Sequence, residues 1–380
     1  MTQSRIIVVG AGIGGLTAGA LLAKRGYQVR VFDQAIVPGG CASTFKRRGF
    51  TFDVGATQVA GLEPGGIHQR IFSELGVELP KASYCDPACA VYLPGESEPI
   101  SVWRDPERWK AERSRQFPGS ERFWQLMAIL FRASWAFQGR DPVLPPRNFW
   151  DLSQLIKALR LDTLTTVPFT LMTVGDALRL FGLGQDNRLK KFLDLQLKLY
   201  SQVDADETAL LYAATALGVS QSPQGLFHLE GSMQVLSDRL VEALEKYGGQ
   251  LLMRHTVKEI NLDSRGAKSV VVHSQKTGEI WTETADNIVA NVPVQNLTKM
   301  LVSQGMQESL GQKLYRQRVE KLPPASGAFV IYLGVKQSAI PSHCPPHLQF
   351  LYDWDGEIGE NNSLFVSVSQ PSWPTRVARP

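Results

Sequence analysis

The chain has 380 residues, which is enough for a large core and typical of two lobes or domains. It is 43% hydrophobic and 20% charged, as globular proteins are, and its net charge of +4 is small for this length. It contains no long block of Lys and Arg, so we expect no nucleic-acid partner.

The N-terminal residues predict one β–α–β unit. Residues 5–10 (RIIVVG) are an apolar, β-branched run that is typical of a strand buried on both faces. A glycine-rich turn leads into a helical pattern over residues 16–25, which Gly26 is placed to end. Residues 27–33 then read as a second strand that ends in an acid, so about 30 residues make one Rossmann unit.

No targeting segment is expected ahead of this unit. The chain has no charged segment followed by an apolar run and a cleavage site before residue 5, so we expect no signal peptide. Its longest apolar stretches are broken by charge before about 18 residues, which argues against a transmembrane helix. We therefore expect a protein on the cytoplasmic side, soluble or bound to a membrane surface.

The middle of the chain has a different character. Between about Pro87 and Leu226 aromatic residues are frequent and helical periodicity replaces strand runs, with a Pro-rich break at residues 140–150. This predicts an inserted, largely helical lobe.

An α/β pattern returns after this lobe. A helix is predicted from Gly231 to Tyr247, then a strand with a polar turn at residues 250–260, and further strands at residues 269–273, 287–290 and 363–368. The predicted division has a dinucleotide-binding domain in two parts, at residues 1–86 and 226–300. The inserted helical lobe takes residues 87–225, and an incomplete set of substrate-domain strands takes residues 301–380.

The strongest motif lies in the first turn, where residues 10–15 match GxGxxG between a strand and a helix. Gly10 allows the tight turn, Gly12 lets the backbone approach a pyrophosphate, and Gly15 lets helix and strand pack closely. The fourth glycine is Gly14, and the helix N-terminus offers N–H groups to the phosphates. Asp33, 18 residues after Gly15 (33 − 15), is placed to accept hydrogen bonds from a ribose diol.

Two further segments extend this site. Pro38-Gly39-Gly40 follows the second strand, and a paired glycine lets a second backbone segment approach the cofactor. Residues 49–57 (GFTFDVGAT) follow soon after, ending in Gly55, Ala56 and Thr57.

Taken with residues 225–260, these segments resemble the bacterial-type carotenoid desaturases and carotenoid isomerases, within the amine oxidase and phytoene desaturase superfamily. The resemblance implies FAD as cofactor, bound by an α/β, Rossmann-like domain with an inserted helical substrate lobe. The GFxFDxGA turn resembles the loop beside the flavin ring in that superfamily. The residue at the position of Val257 contacts the cofactor's adenine through its backbone in the family, whereas the sequence alone also allows a plain buried strand residue.

Within the group, the PGGCASTF run and residues 55–68 look most like the cyanobacterial carotenoid 3′,4′-desaturases, which are similar to the isomerases of poly-cis-lycopene. Many desaturases have Arg directly after the paired glycines, and here that position is Cys41, a pattern nearer to the isomerases. Lys46, Arg47 and Arg48 are alternative phosphate partners, although a solvated basic turn explains them as well.

The resemblance also implies the chemistry. The flavin takes a hydride from an allylic C–H of the carotenoid while a proton leaves the adjacent carbon, and a quinone or oxygen is the electron acceptor. No catalytic base is identified, since His68, Asp176 and Asp204 are isolated and read better as surface or structural residues. The four cysteines and six histidines show no CxxC pair and no HExxH arrangement, so we expect no metal.

A carotenoid lies in the bilayer, so peripheral membrane contact is expected. Residues 149–181 carry apolar positions together with Lys157, Arg160, Arg179 and Trp150, a pattern of a helix on a membrane surface or of an ordinary amphipathic core pair.

Family members have a late Gly-Asp segment that closes the FAD site, and the only Gly-Asp here is Gly175-Asp176 in the helical lobe. We therefore expect the C-terminus, whose residues 371–380 have no strand or helix period, to be truncated. The alternatives to a 3′,4′-desaturase are a carotenoid cis–trans isomerase, an inactive lipid-binding homologue and an amine oxidase.

Overall fold

The computed structural model describes residues 3–263, 266–303, 310–323 and 327–369. Its strands are β1 (Arg5–Val9), β2 (Gln28–Asp33), β3 (Thr44–Arg47), β4 (Phe50–Asp53), β5 (Ala82–Tyr84), β6 (Cys89–Tyr92), β7 (Ile100–Val102), β8 (Phe227–Leu229), β9 (Gln250–Met253), β10 (His255–Asp263), β11 (Gly266–Ser274), β12 (Ile280–Thr284), β13 (Asn287–Ala290), β14 (Leu301–Ser303), β15 (His347–Leu351) and β16 (Ser363–Ser367). Its helices are α1 (Ile13–Lys24), α2 (Ile67–Leu75), α3 (Pro106–Gln116), α4 (Glu121–Gln138), α5 (Phe149–Ala158), α6 (Leu161–Leu164), α7 (Val174–Leu180), α8 (Asn187–Tyr200), α9 (Leu210–Ser220), α10 (Gln234–Lys246), α11 (Val294–Met300) and α12 (Leu310–Glu320).

A parallel four-stranded sheet in the order β13–β1–β2–β9 is the frame of the dinucleotide fold. Successive side chains of a strand point to opposite faces, so β1 supplies two cores. Ile6 and Val8 pack with Leu16 of α1 and Leu240 of α10. The next residue on the other face, Ile7, packs with the second sheet, whose order is β12–β11–β10–β14. The sheet is therefore covered on both faces, as its β-branched run predicts.

The largest core belongs to the helices of residues 106–220 and to a third sheet, in the order β16–β15–β6–β7. Aromatic side chains dominate it. Trp109 lies edge-on to Trp124, with ring centroids 5.5 Å apart, and Phe192 lies 5.1 Å from Phe117. Most of the aromatic residues of this lobe therefore belong to its core, whereas Phe149 and Trp150 are exposed.

The first β–α–β unit is confirmed, with α1 beginning three residues earlier than residue 16. The strands at 269–273, 287–290 and 363–368 are confirmed in β11, β13 and β16. The strand with a polar turn expected over residues 250–260 is divided by that turn into β9 and β10. Arg254 has a φ of +62°, so the chain turns there, and β9 pairs with β2 while β10 pairs with β11.

The division at residues 1–86, 87–225, 226–300 and 301–380 stays a prediction. The expected helical lobe begins with two strands, β6 and β7, because β6 pairs in parallel with β15 from the last segment. Residues 371–380 lie outside the described part of the chain.

We expect Phe192→Ala to lower the free energy of unfolding by about 3–5 kcal/mol, because the side chain is fully buried between Trp109 and Phe117. Leu199→Ala on the same helix, where the side chain is 39% exposed, is the matched control and should cost less than about 1 kcal/mol. Urea unfolding followed by circular dichroism measures both, and equal losses would contradict the assignment of Phe192 to the core.

Candidate functional site

Two glycines of the first turn are required by the fold itself. Gly10 has a φ of +104°, and a Cβ there would overlap the backbone oxygen of Asn291. A Cβ on Gly15 would overlap the carbonyl oxygen of Gly10. Both neighbours are backbone atoms that cannot turn away, so β1, α1 and residue 291 touch backbone to backbone at this point.

Gly12 is different. Its φ of −69° suits any residue, and the only group within 4 Å of a Cβ placed there is the side-chain amide of Asn291, with Nδ2 at 3.3 Å. Gly14 likewise faces the Oδ1 of Asn291 at 3.0 Å. The fold gives no backbone reason for glycine at 12, so the bare surface above the N-terminus of α1 is available to a ligand.

The carboxylate of Asp33 joins two loops at the end of β2. Its Oδ2 accepts the N–H of Ala11 at 2.6 Å, and its Oδ1 accepts the N–H of Ala35 at 2.7 Å. A carboxylate oxygen has two lone pairs, so each oxygen can accept one more hydrogen bond. Asp33 therefore holds the turn in place and still presents acceptors for a diol.

The paired glycines lie against this turn. The N–H of Gly39 donates to the carbonyl of Ala11 at 2.8 Å, and Gly39 forms a parallel bridge with Gly12. Gly39 has a φ of +114°, and a Cβ there would lie 2.9 Å from Oγ of the buried Ser237. A Cβ on Gly40 would lie 3.4 Å from Cα of Gly12, so the two glycine segments pack in direct contact.

The third predicted segment completes the surface. The N–H of Ala56 donates to the carbonyl of Cys41 at 3.0 Å, and a Cβ on Gly55 would lie 3.3 Å from the same oxygen. The structure thus brings together the predicted residues of all three segments. We call this set the glycine cradle: Gly10, Gly12, Gly14, Gly15, Asp33, Gly39, Gly40, Gly55, Ala56 and Thr57.

Helix α10 fixes the cradle from behind. Gln234 accepts the N–H of Thr44 on its Oε1 and donates from Nε2 to the carbonyl of Pro38, both at 3.1 Å. Asp53 accepts the N–H of Met233 at 3.0 Å. Burial raises the pKa of Asp53, and the hydrogen bond from Met233 partly opposes this. The first and last residues of the β3–β4 hairpin, Thr44 and Asp53, are therefore both bound to the start of α10.

Sequence reasoning missed Asn291 and Gln234. Asn291 directly follows β13, at the carboxyl end of a parallel strand, which is where ligand sites of open α/β sheets lie. That position was a usable signal. Gln234 had none, because its partners are 190 and 196 residues away in sequence.

The remaining candidates take other positions. Val257 is buried on β10 and packs in the core that includes Ile7, and its contact with adenine stays a prediction. Lys46, Arg47 and Arg48 are exposed on the β3–β4 hairpin.

The isolated acids have structural partners. Asp176 and Thr173 form a capping box on α7, and these hydrogen bonds, together with Arg179, lower the pKa of Asp176 to about 2. Asp204 accepts backbone N–H groups of Asp206 and Glu207. His68, the third isolated candidate, is partly buried, and this burial lowers its pKa.

One buried group of side chains lies beside the cradle. Thr57 Oγ1 is 3.4 Å from Nε2 of His347, whose ring stacks on that of His228 with centroids 4.5 Å apart. Cys85 lies with them, and one ligand-type atom from each of the three residues falls within 4.8 Å of the others.

Comparison with known proteins agrees with this geometry. Residues 8–75 match the family described as NAD(P)-binding Rossmann-like domain. Over 371 residues the chain is 26% identical to a chloroplastic prolycopene isomerase of Daucus carota, covering 95% of this chain and 57% of that protein. It is also 26% identical to a 4,4′-diapophytoene desaturase of Methylomonas over 346 residues, covering 89% of this chain and 62% of the relative.

Solved structures show the same fold. An oxidoreductase from Methanosarcina mazei superposes with a TM-score of 0.56 at 17% identity, covering 84% of this chain and 66% of that one. A variant of putrescine oxidase gives 0.52 at 15% identity, covering 83% and 63%.

The chain is thus similar in sequence to carotenoid desaturases and isomerases, and it has a Rossmann-like α/β fold. The dinucleotide-binding domain and these relatives support FAD as the cofactor. The chain spans about six-tenths of the length of the curated relatives described above. Among the described residues, no helix is both long and apolar enough to cross a membrane.

Proposed function

We propose that the chain is an FAD-dependent oxidoreductase acting on a carotenoid, with the cofactor held in the glycine cradle. The observation that carries the proposal is Gly12. Its backbone suits alanine, and the neighbour that a Cβ would meet is a side-chain amide at 3.3 Å rather than backbone, so an incoming ligand is the better reason for a bare Cα there.

The roles of the cradle follow from its geometry. The N-terminus of α1 would receive the pyrophosphate, because the first N–H groups of a helix have no partner within it. Asp33 would accept the ribose hydroxyls, and the backbone of Gly39, Gly40 and the 55–57 segment would border the rest of the cofactor. Bound FAD supplies the hydride acceptor for an allylic C–H, the carbon next to it loses a proton, and a quinone or oxygen reoxidises the flavin.

We expect Gly12→Ala to remove flavin binding without unfolding the chain. Its φ suits alanine, so the free energy of unfolding should stay the same or rise by up to about 1 kcal/mol. The added methyl group would occupy the ligand's surface and weaken FAD binding by about tenfold or more. Flavin absorbance after incubation with FAD and desalting measures the binding.

Gly311→Ala is the matched control, because a Cβ placed on Gly311 of α12 has no atom within 4 Å and the residue lies outside the cradle. It should retain flavin as the unchanged chain does. Equal flavin retention by both variants would rule out the cradle as the site, and an unchanged chain that takes up no flavin would rule out FAD.

Within this class we propose 3′,4′-desaturation as the reaction, on the resemblance of the PGGCASTF run and residues 55–68. Cis–trans isomerisation is a second candidate, because Cys41 replaces the Arg of many desaturases and prolycopene isomerases match nearly the whole chain. An inactive lipid-binding homologue is the third candidate.

Product analysis separates these three. With a carotenoid whose 3′,4′ bond is saturated, we expect a product that has lost two hydrogen atoms and absorbs at longer wavelength, because the conjugated chain grows by one double bond. Liquid chromatography with mass detection measures this, with Gly12→Ala as the inactive control. A product of unchanged mass and altered retention would establish isomerisation instead, and unchanged carotenoid would favour the lipid-binding homologue.

We further propose that the chain meets its apolar substrate at a membrane surface on the cytoplasmic side. Residues 149–171 expose a run of large apolar side chains, which we call the apolar strip: Phe149, Trp150, Leu152, Ile156, Leu159, Leu161, Leu164, Val167 and Leu171. Phe149 is 91% exposed and Leu171 95%. Contiguous exposed apolar surface of this kind marks an interaction site.

The charges around the strip favour a lipid surface over a protein. Arg147, Lys157 and Arg160 are exposed among its apolar residues, and this pattern suits anionic headgroups. Trp150 has the amphipathic ring that is enriched at membrane interfaces.

We expect Phe149→Ser to weaken binding to vesicles containing anionic phosphatidylglycerol by about tenfold or more, since burying a Phe side chain is worth roughly 2 kcal/mol. Ile280→Ser, which changes a 65% exposed residue on β12, is the control and should leave binding unchanged. Co-sedimentation with the vesicles measures both. Equal binding by the two variants would exclude the strip as the membrane contact.

A further inference from the structure

Three side chains that can bind a metal meet in the interior, from segments far apart in sequence. Cys85 follows β5, His228 is the middle residue of β8, and His347 begins β15. The antiparallel strands β5 and β8 pair Ser83 with His228, and the N–H of Cys85 donates to the carbonyl of Leu226 at 2.9 Å. The cluster therefore sits on a hydrogen-bonded backbone.

The cluster is deeply buried. The exposed fractions are 1% for Cys85, 2% for His228 and 0% for His347. Within the described residues, no other group of three His, Cys, Asp or Glu side chains has its ligand atoms close enough together to share an ion. One sulfur and two imidazole nitrogens are donors that Zn²⁺ and other thiophilic ions prefer.

We propose that Cys85, His228 and His347 form a binding site for a thiophilic transition-metal ion, with Zn²⁺ as the reference ion. This site goes beyond the proposed flavin chemistry and does not depend on it. Bonds of about 2.0–2.3 Å to such an ion would bring the ligand atoms closer together than the 4.8 Å limit within which they now lie.

The surroundings of His347 prepare it for this role. Its Nδ1 lies 3.2 Å from the carbonyl oxygen of Ala88, to which an N–H at that position donates, and the lone pair then lies on Nε2. A metal-bound histidine commonly donates its other N–H to a carbonyl in this way. Thr57 Oγ1 lies 3.4 Å from the same Nε2.

The two histidine rings are in the protonation state that binds a metal. Burial lowers the pKa of His228 to about 4 and that of His347 to about 3, so both rings are neutral near pH 7, the form that binds metals. Burial raises the pKa of the Cys85 thiol to about 12, so an ion entering the site would displace a proton from sulfur. The metal–thiolate bond would form as that proton passes to solvent.

Cobalt titration of the full 380-residue chain, freed of metal by a chelator, tests this. Co²⁺ is the probe because a cobalt–thiolate bond gives a charge-transfer absorption band that oxygen and nitrogen ligands do not. We expect one Co²⁺ per chain with this band, and its displacement by one equivalent of Zn²⁺.

Cys85→Ser should abolish the thiolate band, and His347→Gln should weaken Co²⁺ binding by about a hundredfold or more, since even partners that only orient a ligand contribute about 10–100-fold. Cys89→Ser is the matched control, because Cys89 is also a buried thiol with a pKa raised to about 12 and lies outside the cluster. Circular dichroism confirms that each variant is folded.

The absence of a thiolate band in the unchanged chain would overturn the proposal. So would a band that survives Cys85→Ser, or one that Cys89→Ser removes. Flavin absorbance recorded in parallel keeps this result separate from the test of the glycine cradle, since either site can be present without the other.

Discussion

The contact between Gly15 and the carbonyl oxygen of Gly10 is the constraint on which the rest of this site depends. A single Cβ at residue 15 would overlap that oxygen, so α1 can start directly at the end of β1 only because the position is bare. This close approach sets the direction of α1 and aims its N-terminus at the carboxyl edge of the parallel sheet. The N–H of Ala11 in this turn finds its acceptor at the end of β2. Asp33 takes the N–H of Ala11 and so fixes the turn that the close contact creates.

Two further chain segments are built onto this turn by backbone hydrogen bonds, and α10 holds them there. The N–H of Gly39 donates to the carbonyl of Ala11, and that of Ala56 donates to the carbonyl of Cys41. Gln234 of α10 bonds to the two ends of residues 38–44, at Pro38 and at Thr44. The bonds from Gly39 and Ala56 join main-chain groups on both sides, so their geometry tolerates different side chains.

The sequence was sufficient for the parts of the fold whose signals are local. The β–α–β unit, GxGxxG and Asp33 lie within 33 residues, and each has its own pattern of period, turn and charge. The pairing of β6 with β15 could not be predicted, because about 250 residues separate the strands and neither has a distinctive pattern. The same limit hid Gln234 and the Cys85, His228 and His347 cluster, whose members are scattered over 263 positions (347 − 85 + 1). Spacing rules for metal ligands detect only sites built from one or two short segments.

The segment from Gly55 to Val59 connects the two sites that the structure brings side by side. Gly55 and Ala56 border the glycine cradle, whereas Val59 exchanges backbone hydrogen bonds with Phe227, the residue before His228. Thr57 lies between them and reaches His347. Residues 55–59 therefore join β8 and His347 to the surface that would border the cofactor. An ion that draws Cys85, His228 and His347 together would act on this segment, because the backbone bonds at both of its ends leave it little freedom to absorb the movement.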